Sequence, residues 1–182
     1  MSAHSLSNST RPRVRKSGRP DATGSAEPVL DSLKALLAAQ LFFKELNREH
    51  LQVLADNARQ TEFTAGQIIF RRGDPANRFY LVESGKVAVE LERPDCEPIL
   101  VQTIGPGREL GWSWILPPYY EHFTATTLEP TKAIFFHGTR LRECCEENHD
   151  LGYELMKRMA EVMLHRIEAA SRLLLECPSK LP

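Results

Sequence analysis

Between Trp112 and Thr124 the chain gathers side chains suited to holding a small molecule. Trp112, Trp114, Tyr119, Tyr120 and Phe123 are aromatic, and Pro117-Pro118 is stiff. Ser113, Glu121, His122 and Thr124 supply polar handles among them. Aromatic rings around a few convergent polar groups make an apolar ligand pocket. The same rings can instead fill a cavity and leave a ligand-free core. The residues alone leave both readings open. A haem or metal on His122 would rest on a single histidine, and no metal site is expected there.

The four cysteines, Cys96, Cys144, Cys145 and Cys177, match no zinc or iron–sulfur spacing. Cys144 and Cys145 are adjacent, so on a helix they point about 100° apart. His149 is spaced to face Cys145, but the set is read as buried or half-buried thiols. No nucleophile elbow, phosphate loop, His-Glu-x-x-His or paired-carboxylate motif occurs, so no enzymatic activity is expected.

The whole chain carries a formal net charge of -1, too little to draw it to nucleic acid. No apolar run approaches the ~20 residues of a membrane span. The N-terminus lacks the apolar core of a secretory signal, so a cytoplasmic location is expected. Residues 1–27 are rich in Ser, Pro, Gly, Arg and Ala, and read as a disordered, solvated tail. Its basic cluster, Arg11, Arg13, Arg15, Lys16 and Arg19, offers the alternative of contact with nucleic acid, an acidic partner or a membrane surface.

These groups need a frame, and the hydrophobic periods supply one. Pro28 fits the first turn of a helix carrying Leu30, Leu33, Leu36, Leu37 and Leu41. Leu41-Phe42-Phe43 is expected to end it as an apolar plug. Asn47 is placed to cap a second helix with Leu51, Leu54 and Ala55 on one face. The period then switches to two. Phe63, Ile68–Phe70, Phe79–Val82, Val87–Val89 and Ile99–Val101 read as short strands between turns. Val87, Val89 and Leu91 are expected to alternate inward against Lys86, Ala88 and Glu90. Ala133–Phe136 reads as the closing strand. Short strands punctuated by turn glycines predict a small antiparallel barrel or jelly roll.

The chain then turns helical, first over about Thr139–Glu147. Asn148 is placed as the N-cap of a helix reaching about Glu176, before Pro178. On it Met156, Ala160, Met163, Ile167, Ala170 and Leu174 follow a 4-3-4-3-4 spacing. That spacing predicts a coiled-coil-like homodimer seam. Leu155, Met159 and Val162 lie beside it and are expected to pack on the barrel.

This order of elements resembles the cyclic nucleotide-binding domains, most closely those of Crp/Fnr-type regulators. Phe63–Ala76 is similar to the first hairpin of that family, Phe79–Val87 to its next strand pair, and Leu128-Glu129-Pro130-Thr131 to the stretch before its last strand. The resemblance covers about residues 36–176. It implies an α+β, mainly β fold: a β-roll with N-terminal helices and a long C-terminal dimerisation helix. It divides the chain into a tail at 1–27, the roll with its flanking helices at 28–149, and the seam helix at 150–176.

In the family, a Gly-Glu pair opens a short helix whose Glu binds the ribose and whose free N–H groups hold the cyclic phosphate. An arginine further on neutralises that phosphate. Gly111 best matches the glycine, which puts Trp112 at the glutamate position. An alternative alignment uses Glu109 and sets Arg108 where the glycine belongs. Counting back from Leu128 puts Glu121 at the arginine position, with His122 and Phe123 after it. No Arg or Lys lies from Gly111 to Pro130. An unpaired buried phosphate costs several kcal/mol. Glu121 adds repulsion, and His122 compensates only when protonated. A cyclic nucleotide is therefore the cofactor the family implies, while ordinary cAMP or cGMP binding is not expected.

The family's regulators continue into a helix-turn-helix. Only residues 177–182 follow the long helix here, so sequence-specific DNA binding is not expected. The expected role is a regulatory sensor of a small molecule or protein partner, signalling through the long helix. A DNA-acting regulator using its tail or a partner, and a ligand-free interaction scaffold, are the alternatives.

Overall fold

The computed structural model describes residues 26–94 and 96–176. The tail and Cys177 lie outside these residues, apart from Ala26 and Glu27, which open the first helix, α1 (Ala26–Ala38). A single 3-10 turn follows at Leu41–Phe43, then α2 (Arg48–Asp56). Asn47 caps α2 as its type predicts, its side chain accepting the His50 N–H at 2.7 Å. Phe42 and Phe43 are buried, but Leu41 is 76% exposed, which corrects the expected three-residue plug. A tight turn cannot aim three consecutive side chains at one core.

Eight strands come next: β1 (Ala58–Phe63), β2 (Ile68–Phe70), β3 (Arg78–Ser84), β4 (Val87–Arg93), β5 (Cys96–Ile104), β6 (Glu109–Leu110), β7 (Thr124–Thr127) and β8 (Thr131–His137). They pair antiparallel into two four-stranded sheets, ordered β1-β8-β3-β6 and β2-β7-β4-β5. The inner faces enclose Ile69, Phe70, Val87, Val89, Ala125 and Phe135. This is the β-roll implied by the sequence.

In the first sheet β3 and β8 are buried on both faces. Tyr80, Val82, Ala133 and Phe135 point into the roll, while Phe79, Leu81, Ile134 and Phe136 meet the helices. Successive strand residues face opposite sides, so burial of both sides demands unbroken apolar runs. Phe79–Val82 and Ala133–Phe136 are those runs. On β4, Ala88 is buried at 2% exposure beside Val87 and Val89, so strict alternation is corrected there. Strands on either side cover its single methyl group.

The chain closes with α3 (Gly138–Glu147) and α4 (His149–Glu176). Asn148 joins them, its side chain accepting the Leu151 N–H at 3.0 Å. Leu151, Leu155, Met159 and Val162 bury one face of α4 in the helical core. Arg158 fastens that helix to the N-terminal segment, donating to the carbonyls of Phe42 (2.8 Å) and Lys44 (2.7 Å). Among the described residues no helix is long and apolar enough to cross a membrane.

Candidate functional site

Gly111 starts a single 3-10 turn, Trp112–Trp114, in the left-handed conformation at φ +81°. A Cβ there would sit 2.5 Å from the Arg78 carbonyl oxygen. Both facts require glycine. Gly111 thus opens this turn. Glu109 lies instead on β6 opposite Leu81, buried, with Arg108 Nη2 3.2 Å from its carboxylate.

Glu121 is held by backbone bonds to the turn between β2 and β3. Gly73 N–H donates to its carbonyl at 2.8 Å, and its own N–H donates to Asp74 at 2.9 Å. Ala76 N–H donates to Tyr119 at 2.7 Å. The Glu121 side chain is 5% exposed, and its Oε1 has no hydrogen-bond partner. Burial pushes its carboxyl up to about 7; Ser113 and the Arg78 guanidinium pull against that, and Asp74 adds to it.

Trp112 and His122 flank Ser113, whose side chain acts on this carboxyl. Their rings stack with centroids 4.9 Å apart and planes 17° from parallel. His122 is exposed and Trp112 half-buried, while Ser113 beneath them is 3% exposed. Ser113 Oγ lies 3.1 Å from His122 Nδ1. Trp112, Ser113, Glu121 and His122 therefore form one cluster.

The other predicted residues go elsewhere. Trp114 is fully buried in the helical core, 6.1 Å from Phe79, with its indole N–H unpartnered. Tyr119 lies under the Arg142 guanidinium at 4.2 Å, with Trp114 and Cys145 on the wall of a different cavity of about 350 Å³. Tyr120 is exposed and bridges to Pro75. Thr124 accepts the Arg72 N–H at 3.0 Å and donates to Glu92 at 2.7 Å. Phe123 points towards α4, where the Arg166 guanidinium lies 5.9 Å from its ring.

Two cations escaped the sequence reading. The stretch from Gly111 to Pro130 holds none, yet β3 brings Arg78 into electrostatic reach of Glu121, and α4 brings Arg166 to Phe123. Arg78 also donates from Nη1 to Ile69 O at 2.9 Å. A signal for Arg166 was present: it continues the spacing of Leu155, Met159 and Val162 on the packed face of α4.

Cys96 is exposed, Cys144 buried and Cys145 partly buried. Burial raises the thiols of Cys144 and Cys145, the latter to about 11. Among the described residues no group of three or more His, Cys, Asp or Glu is placed to hold a metal.

The cyclic nucleotide-binding domain family matches residues 60–148, the roll and the helix after it. The chain carries a cyclic nucleotide-binding domain. Over 125 residues the domain is 25% identical to a CRP-like cAMP-activated global transcriptional regulator of Mycobacterium tuberculosis, covering 69% of this chain and 56% of that protein. The chain thus spans a little over half the length of that curated relative. A putative cyclic nucleotide-binding protein from Geobacter metallireducens GS-15 superimposes with a TM-score of 0.67 at 28% identity, over 75% of this chain and 98% of that one. The regulatory subunit of a cAMP-independent protein kinase A from Trypanosoma cruzi, bound to guanosine, gives a TM-score of 0.65 at 18% identity, over 87% of this chain and 55% of that one. At that identity the last likeness speaks for the fold alone.

Proposed function

We propose that this cyclic nucleotide-binding domain is a non-catalytic regulatory sensor that is not an ordinary receptor for cAMP or cGMP. The observation that carries the reading is Glu121. Counting back from Leu128 puts it where the resemblance places the phosphate-binding arginine, and it is buried beside Ser113 and the Trp112–His122 stack. A cyclic phosphate placed there would meet a carboxyl and a stacked aromatic pair rather than a fork of donors. Arg78, the nearby cation from β3, already acts on Glu121 and the Ile69 carbonyl.

The output runs through α4. One face of this helix packs on the core, and the other presents Met156, Ile167 and Leu174 at 41%, 62% and 51% exposure. Ala160 is exposed with them, and Met163 and Ala170 are half-buried. These six positions form a homodimer seam, and a ligand that shifts α4 against the roll changes that seam.

The test is the melting temperature with saturating cAMP and cGMP. A ligand at a hundred times its Kd adds about 2.7 kcal/mol of stability, visible as several degrees. No shift is expected with either nucleotide. A clear shift with either overturns this reading of Glu121.

A further inference from the structure

Arg166 projects from the packed face of α4, where its neighbours in the pattern are Leu155, Met159 and Val162. Its side chain is 5% exposed, and neither Nε nor Nη1 has a hydrogen-bond partner. The carboxylate in electrostatic reach, Glu109, is already bonded to Arg108 Nη2 at 3.2 Å. Arg108 adds a second positive charge beside Arg166, and its own Nε is buried without a partner. Two guanidinium groups thus share one carboxylate. A buried charge left without a counter-ion strongly opposes folding, and a guanidinium fork is shaped for a planar oxyanion.

Space for the rest of a ligand adjoins this charge. Phe123, whose ring lies 5.9 Å from the Arg166 guanidinium, also lines a cavity of about 580 Å³. That cavity opens between the β4–β5 hairpin and the last turns of α4; Leu91, Ile99, Val101 and Leu173 make it mainly apolar, and Arg93 and Glu97 also line it. Ala170, one helical turn beyond Arg166, lines it too, as does Leu174.

We infer that the domain binds a small amphiphilic oxyanion, its carboxylate or phosphate on Arg166 and its apolar body in the cavity beside Phe123. The charge is delivered by the C-terminal helix rather than by the loop that carries it in the resemblance. Ala170 and Leu174 belong both to this cavity and to the proposed seam, so occupancy acts directly on assembly. The inference rests on reading the domain as a ligand sensor.

The test measures the melting temperature of the full chain with octanoate, octyl phosphate and octanol, each below its micelle concentration and at matched ionic strength. Octanoate or octyl phosphate raises it by roughly several degrees while octanol does much less, and the stronger of the two anions tells carboxylate from phosphate. Arg166→Met removes the anions' advantage over octanol. It also melts above the wild type without ligand, because the unpaired charge is gone. Arg166→Lys keeps the charge without the fork and responds more weakly than the wild type. Three results overturn the site: no response to either anion, an equal response to octanol, or an anion response that survives in Arg166→Met. If Arg166→Met keeps the response, this site fails and the sensor reading stands. If the anion response holds but Ile167→Glu leaves assembly unchanged, the seam fails and this site stands.

Discussion

Trp112 lies flat on His122, with ring centroids 4.9 Å apart. The contact joins the 3-10 turn after Gly111 to the segment before β7. Stacked rings of this kind contribute about 0.5–1.5 kcal/mol beyond the area they bury. Trp112→Ala should lower stability by about 1–2 kcal/mol in chemical denaturation. It should also admit water to Glu121 and bring that carboxyl back towards its ordinary value. A carboxyl resonance followed by NMR through a pH titration checks the second effect. An unmoved Glu121 in that variant would mean that the stack does not set its burial.

Glu121 gives the domain a pH dependence of definite sign. Its carboxyl is pushed from 4.5 up to about 7 by burial. Between those values the folded chain holds a proton that the unfolded chain has lost. Stability therefore falls as pH rises through this window, and the full penalty is present above about 7. Glu121→Gln removes the penalty. Relative to the wild type, the variant should gain roughly 2–3 kcal/mol at pH 8 and little at pH 4. Paired urea melts across that range check it; a constant difference would show that Glu121 is not the titrating group.

The contrast between Glu121 and Arg166 shows what the sequence makes legible. Strands, caps and helix limits follow from local rules, so Asn47, Asn148 and the ends of α4 are where their residue types put them. The two-residue β6 is too short for any period to reveal, and the polar Thr124–Thr127 hides β7. The site suffers most, because its charges arrive from distant strands and helices. Counting along Gly111–Pro130 misses Arg78 from β3 and Arg166 from α4. The aromatic cluster also divides: Trp112 stacks on His122 at the edge of the helical core, while Trp114, two residues on, is fully buried within it.

Gly111 controls where that division falls. Its φ of +81° and the 2.5 Å approach of any Cβ to the Arg78 carbonyl leave no room for another residue. An alanine in the left-handed region costs about 1–2 kcal/mol, and the clash adds to it because a backbone carbonyl in β3 must move. Gly111→Ala should destabilise the domain by more than roughly 2 kcal/mol. It should also disturb the Trp112–His122 stack, read as a change in near-ultraviolet circular dichroism. A variant as stable as the wild type would mean that the 3-10 turn starts elsewhere.

Ile167 tests whether the exposed face of α4 is an interface. It is 62% exposed and follows Arg166, which is buried about 100° away round the helix. Glutamate at this position should leave the folded roll intact, since Ile167 is mostly exposed and belongs to neither core cluster. In a dimer it would set two like charges against each other across an apolar seam, at a cost of several kcal/mol. Ile167→Glu should therefore sediment as a monomer where the wild type sediments as a dimer, with both showing the same far-ultraviolet spectrum. A variant that keeps the wild-type sedimentation would place the interface away from Met156, Ala160, Met163, Ala170 and Leu174, and would leave α4 coupled only to its own roll.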